Sequence, residues 1–277
     1  MTTPGGTPFT ERTPRVTAAR KLLRRRHADG VRQFLAEGPQ AVREALTAGV
    51  VVELFGTAAG LERLGLDAAP GGDLPGTRVS LVTDAGLASL TETVQPQGVV
   101  AVCSYVDVPL AAALDPAPRL VAVLAEIRDP GNAGTVLRTA DAAGAGAVLF
   151  TDASVDPYNG KCVRSTAGSL FHVDVVRGCS PLEAVTALQA AGLQVFATTG
   201  YGAENLDDLA DGGRLAAPTA WLFGSEAHGL PPELLEAADA RVRVPVHGRA
   251  ESLNLAAAAA VCLYASASHQ RRKEAAS

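Results

Sequence analysis

The stretch that decides the fold is LVAVLAEIRDPGNAGTVLRTADAAGAGAVLF, residues 120–150. Residues 120–125 form an unbroken apolar run of strand length, and 147–150 form a second. Between them, 133–143 carry apolar residues at helical spacing. Two buried strands joined by a helix read as a parallel βαβ unit. Downstream, strands are predicted over 173–176, 194–197, 220–223 and 242–244. Helices are predicted over 181–190 and 231–238, with a long one over 252–266; residues 158–168 read as helix or loop. The fold class is therefore α/β with a mostly parallel sheet. Such sheets bind ligands beyond the carboxyl ends of their strands.

Upstream, the alternation is looser. A helix is predicted over 17–28 and a strand over 33–36. Gly38-Pro39 opens a helix, because proline is tolerated in a first turn, with Val42, Ala45 and Leu46 at helical spacing. Strands follow over 50–55, 79–82 and 98–105, with a weak helix and loop over 57–77 and Asp84 as a helix cap. This predicts a small α/β domain. Residues 1–12, rich in Gly, Thr and Pro, read as a disordered tail. Residues 109–118, rich in Pro and Ala, read as a linker. The domain boundaries expected are thus 13–108 and 119–277.

The chain has 277 residues, 47% hydrophobic and 19% charged, enough for two cores and against global disorder. The most apolar run, 253–267, is alanine-rich, too short to span a bilayer, and followed by Gln270-Arg271-Arg272-Lys273. The polar, basic N-terminus does not read as a secretory signal. A cytoplasmic protein without a membrane partner is expected. Cys103, Cys162, Cys179 and Cys262 form no CxxC pair, so no metal site is expected and buried thiols are. Net charge is −5, but residues 1–43 carry nine Lys or Arg against three acids. Arg20, Lys21, Arg24, Arg25 and Arg26 lead this basic arm, which is either a solvated helix or a contact for a polyanion.

Three loops follow predicted strands. In the first, Asn132 begins a helix and Arg138 lies six residues on. Arg138 either stays at the surface or points into a site. In the second, FGSEAHGL, Gly224 follows an apolar strand and allows close approach of a ligand, with Glu226 at the strand end. In the third, VPVHGRAESLNLAAA, Ser252 is a good N-cap, while Asn254 is a poor choice inside an alanine-rich first turn. Gly144-Ala145-Gly146 precedes a strand rather than a helix, so it is no dinucleotide fingerprint, and no P-loop or GxSxG occurs.

Together, NAG…LRTA, LFGSEAHGL and VPVHGRAESLNLAAA resemble, in order and spacing, the three motifs of the SpoU (TrmH-type) ribose methyltransferases of the SPOUT superfamily. The resemblance covers about residues 119–268. FLAEGPQAVREAL and LTETVQPQGVVAV more weakly resemble that family's substrate-binding domain, over most of residues 20–105.

The resemblance implies a C-terminal α/β SPOUT domain with a deep trefoil knot, acting as a homodimer through that domain. It implies S-adenosylmethionine as cofactor, held around Thr199, Gly200, Gly224, Val244 and Leu253. Asn132, Arg138, Glu226, Ser252 and Asn254 match the family's functional polar residues, and Arg164 a further segment lining the site. The implied reaction is methylation of an RNA ribose 2′-hydroxyl, without a metal. The family assigns the proton-accepting role to the position of Arg138. An arginine ordinarily stays protonated, so Arg138 is either a base in a desolvated site or an orienter of hydroxyl and phosphate. The substrate expected is ribosomal RNA, 23S first, with transfer RNA as the alternative and a non-catalytic RNA-binding protein as the rival class.

Overall fold

The computed structural model describes residues 7–66 and 76–275. In chain order its elements are α1 (Pro14–Arg20), α2 (Arg25–Val31), β1 (Gln33–Glu37), α3 (Pro39–Thr47), β2 (Val51–Gly56), α4 (Ala58–Arg63), β3 (Arg78–Leu81), α5 (Asp84–Ala88) and β4 (Val99–Ser104). There follow α6 (Leu110–Ala113), β5 (Leu120–Leu124), α7 (Pro130–Ala143), β6 (Ala147–Thr151), α8 (Gly160–Thr166), β7 (Asp174–Cys179), α9 (Pro181–Ala190) and β8 (Gln194–Thr198). The last are β9 (Glu204–Asn205), α10 (Leu206–Asp211), β10 (Thr219–Phe223), α11 (Pro232–Ala237), β11 (Ala240–Arg243) and α12 (Leu255–Ala275).

The chain divides into two compact units, one of Met1–Val106 with Tyr158–Phe171, the other of Asp107–Pro157 with His172–Ser277. The first unit is built on a four-stranded sheet of order β1-β4-β2-β3. Here β4 runs antiparallel to β1 and β2, and β3 parallel to β2. Phe34 and Phe55 are fully buried in it. Phe34 packs on Tyr158 and Phe171, with ring centroids 4.6 and 6.1 Å away. Tyr105 stacks on Tyr158 at 3.9 Å. Segment 158–171 is thus part of this unit's aromatic core, although it follows the first unit by some fifty residues.

The second unit carries a seven-stranded sheet of order β7-β6-β5-β10-β8-β11-β9. All six pairings are parallel. Helices cover such a sheet, so β5, β6 and β10 are buried along their whole length. Trp221 and Phe196 meet edge-on in the core at 5.3 Å. Trp221 is fully buried and donates its indole N–H to Ser266 of α12 at 2.9 Å.

Several local expectations are corrected. The disordered tail was expected over 1–12. Residues 1–6 lie outside the described part, but Phe9 bridges to Val82, its N–H bonding Leu81 and its carbonyl receiving Thr83 N–H. Thr83, not Asp84, caps α5, accepting from Gly86 N–H at 3.0 Å. The segment expected to be a linker, 109–118, contains the helical turn α6. The expected helix over 17–28 is two helices joined by a 3-10 turn at Lys21–Leu23. Part of the 57–77 expectation, residues 67–75, lies outside the described residues. The four cysteines are buried. Burial pushes the thiols of Cys103 and Cys262 far above their ordinary range, and Cys179 upward as well.

Candidate active site

The carboxyl ends of β8, β10 and β11 open onto one cavity of about 480 Å3. That volume lies inside the usual range for cofactor sites. The strand order explains its place: β10 is inserted between β5 and β8, which precede it in the chain, and the crevice forms beside that crossover.

The end of β8 and the loop after it supply Thr198, Thr199 and Gly200 to the wall. No atom lies within 4 Å of where a Cβ on Gly200 would sit, so its main chain is open to an incoming group. The loop after β10 closes on itself, with Gly229 N–H bonded to Ser225 O at 2.8 Å. A Cβ on Gly224 would stand 2.4 Å from the Gly229 carbonyl carbon. The expectation for Gly224 was close approach of a ligand. The structure adds a second cause, because glycine is needed there for the loop's own backbone to pass. The segment after β11 contributes Val244, Ser252, Leu253 and Asn254. All five residues expected at the cofactor therefore line one cavity, together with Glu226, Ser252 and Asn254.

Asn132 reaches this group through side-chain bonds. Its Nδ2 donates to Glu226 Oε1 at 2.9 Å, and its Oδ1 accepts from Asn254 Nδ2 at 3.3 Å. The local sequence makes this possible. Helix α7 begins at Pro130, and Asp129 caps it by accepting from Asn132 N–H at 2.8 Å. Because Asp129 caps the helix, the Asn132 side chain can face the site. At the other end of the chain of amides, Asn254 Oδ1 accepts from Ala256 N–H at 2.9 Å, while Ala258 N–H bonds Asn254 O. Asn254 thus sits at the start of α12, and Ser252, expected as its cap, lies three residues before the helix. Asparagine is poor inside a helix and favoured at its cap, which removes the anomaly in the sequence.

The Asn254–Asn132–Glu226 chain is exposed on one side, so its bonds add about 1 kcal/mol or less each to stability. Its consequence is positional: one carboxylate is held at the lip of the cavity by an amide that is itself held. Arg138 behaves differently. It is exposed on α7 and is not among the described residues that line the cavity. Sequence reasoning overlooked Thr198, Ser225, Val242, Val246 and Glu251 in the wall. Val246 and Glu251 lie inside the third motif, and the others sit at strand ends next to residues that were named.

Of the expected RNA contacts, Arg20, Lys21, Arg24, Arg25 and Arg26 are exposed along α1, α2 and the turn between them. Arg25 pairs with Asp29 at 3.6 Å. Arg164 is half-buried and pairs with Glu37 at 3.0 Å, both within the first unit.

Residues 119–264 match the SpoU rRNA Methylase family, and residues 13–101 match the MRM3-like substrate binding domain. The chain is 35% identical over 246 residues to the 23S rRNA (guanosine(2553)-2'-O)-methyltransferase RlmP of Bacillus subtilis (strain 168), covering 88% of this chain and 92% of that protein. It is similar to the AdoMet-bound rRNA methyltransferase structure from Sinorhizobium meliloti at 32% identity and a TM-score of 0.76, covering 95% of this chain and 98% of that one. The SpoU methyltransferase AviRb from Streptomyces viridochromogenes, in complex with AdoMet, is 27% identical with a TM-score of 0.75, over 95% of this chain and 99% of that one.

Proposed function

The chain belongs to the SpoU rRNA Methylase family and is an RNA (ribose-2′-O)-methyltransferase working from S-adenosylmethionine; we propose that its substrate is 23S ribosomal RNA. The observation that carries the mechanism is the joining of Asn132, Glu226 and Asn254 at the lip of the cavity, from positions up to 122 residues apart. RlmP, named above, is a 23S rRNA methyltransferase, and the basic face of α1 and α2 suits phosphate contacts.

S-adenosylmethionine, when bound, supplies an activated methyl group on a sulfonium. Thr199, Gly200, Gly224, Val244 and Leu253 would hold it, since all five line the cavity. The protein's remaining work is to present a ribose hydroxyl in line and to manage its proton. Glu226 carries an acceptor carboxylate whose orientation Asn132 fixes, and Ser252 adds a hydroxyl on the same wall. Arg138 lies off the cavity of a single chain. We propose that the chain works as a homodimer through its second unit and that a second copy brings Arg138 to the hydroxyl and its neighbouring phosphate. The exposed apolar residues Val261 and Tyr264 on α12 support that interface. We also propose the deep trefoil knot for the segment 244–254. Two features support it: this segment shares the cavity wall with the 224–229 loop, and α12 then returns to Trp221 of β10. Among the described residues no helix is long and apolar enough to cross a membrane. We propose a cytoplasmic setting, which a ribosomal substrate supports.

The test is methyl transfer from labelled S-adenosylmethionine to unmodified 23S RNA and to transfer RNA, with wild type beside Arg138→Ala. The RNA is then digested to nucleosides. Label in one 2′-O-methylnucleoside of 23S RNA is expected, reduced a hundredfold or more by the substitution, on the order of a lost acid–base or orienting group. Label in transfer RNA alone overturns the substrate. Cofactor binding with no label in any RNA overturns the catalytic reading.

A further inference from the structure

A second cavity, of about 210 Å3, lies wholly within the first unit. It is below the size of drug-like pockets and suits a group the size of one nucleobase. Its lining includes Glu37, Gln40, Ala41, Thr93, Gln97 and Arg164. The Glu37 side chain is only 9% exposed, and one carboxylate oxygen takes Arg164 Nη1 at 3.0 Å. The other takes the hydroxyl of Thr93. None of these residues lines the first cavity. Arg164 is half-buried, so the pair is screened on one side, and it holds the Glu37 carboxylate in place beside the open cavity.

The lining reads in donors and acceptors. A carboxylate has about four lone-pair positions, and here one on each oxygen is used, which leaves both oxygens able to accept again. Directly after Glu37, helix α3 starts at Gly38 without a side-chain cap. The first-turn N–H groups of Gln40 and Ala41, both in the lining, face no side-chain acceptor of their own helix. Gly38 takes φ +94°, and a Cβ there would stand 2.9 Å from Gln97 Oε1. Glycine at this point therefore lets the Gln97 amide close over the helix start. Arg63 fixes the strand-side backbone by donating to Gln97 O at 2.8 Å. Val94, 98% exposed, stands between the lining residues Thr93 and Gln95 and offers an apolar surface at the rim.

Glu37 and Arg164 offset each other's charge, and the lone pairs left on Glu37 favour an occupant rich in donors. Among the RNA bases, guanine alone presents two adjacent donors, N1–H and the N2 amino group, beside the O6 acceptor on its pairing edge. We propose that this cavity reads one unpaired guanine of the RNA substrate, with Glu37 accepting from N1–H and the N2 amino group and the start of α3 donating to O6. Unpaired bases are where proteins read RNA sequence. The inference rests on the RNA-substrate reading above and assigns a base-specific contact to the first unit, separate from the nucleotide that is methylated.

The experiment uses the full chain and an unmodified 23S RNA transcript with inosine phosphorothioate scattered at its guanosine positions. Inosine lacks the N2 amino group. Bound and unbound RNA are separated and cleaved with iodine, for wild type and for Glu37→Gln. Wild type is expected to exclude inosine at a discrete position. Glu37→Gln is expected to lose that exclusion and bind the RNA about tenfold more weakly, the scale of one good base contact, with S-adenosylmethionine affinity unchanged. Gln40→Trp, an exposed position at the cavity mouth, gives the same loss by filling it and keeps the test open if Glu37→Gln does not fold. An identical inosine pattern in wild type and both variants overturns the pocket while methylation stands. Wild type that binds RNA with no inosine exclusion does so as well. Wild type that neither binds nor methylates any RNA overturns the function proposal and this one together.

Discussion

Asn132 shows how one residue's neighbour sets its role. Because Asp129 takes the helix cap, the Asn132 amide is left to span Glu226 and Asn254. The sequence placed Asn132 at a helix start, where an asparagine can equally cap the helix or reach a ligand, and pattern alone does not separate the two. It misplaced Ser252 for a related reason: Ser252 and Asn254 are both good caps, and only the three-dimensional path selects between them. Arg138 was legible as a motif residue with two possible places, and it takes the exposed face of α7. If the three polar residues act as a unit, their effects are not additive. Asn132→Ala is expected to slow single-turnover methyl transfer about tenfold to a hundredfold, as for a misplaced reacting group, with S-adenosylmethionine affinity little changed. Adding Asn254→Ala to that variant is expected to cost little more. Fully additive losses in this double-mutant cycle refute the chain as a unit.

At the scale of elements, α12 departs most from the sequence reading, which stopped at residue 266; the helix runs to Ala275. Past residue 266, Gln270 is buried and its Nε2 donates to Arg119 O and Ala217 O, each at 3.0 Å. A buried polar side chain satisfied by loop carbonyls carries no signature in a hydrophobic pattern. β9 and α10 were also missed, since a two-residue strand shows no period. On the outer side of α12, Val261 and Tyr264 are 43% and 52% exposed at helical spacing. Val261→Glu with Tyr264→Glu is expected to convert the proposed dimer to monomer by sedimentation velocity. Methyl transfer should fall with it, and the melting temperature of the monomer should stay within a few degrees of the parent because neither side chain is in the core. A dimer that survives both charges places the interface elsewhere.

For the whole molecule, the alternation of strands and helices was enough to read both sheets and the end of the second at which the larger described cavity opens. It was not enough to read which sheet each element joins. Periodicity reports whether a segment is helical and which face is apolar; it says nothing of the partner. Hence 158–171, expected within the 119–277 domain, is grouped with Met1–Val106. A fragment of residues 13–108 lacks Tyr158 and Phe171, which pack on Phe34. Losing one large core aromatic costs about 3–5 kcal/mol, against a total of about 5–15 for a domain. Such a fragment is expected to melt without a cooperative transition by circular dichroism, and a fusion restoring 158–171 is expected to recover one. A sharp transition in the bare fragment shows the segment to be dispensable.

That division of the first unit between two stretches of chain also bears on inheritance. A gene exchange with one breakpoint near residue 106 carries off most of the substrate-binding unit but leaves behind a helix, two aromatic rings and the arginine that holds Glu37. The unit cannot be traded as a simple N-terminal cassette. Lineages that swap it must bring a matching insert in the middle of the methyltransferase sequence, so the two halves of the gene are bound to change together.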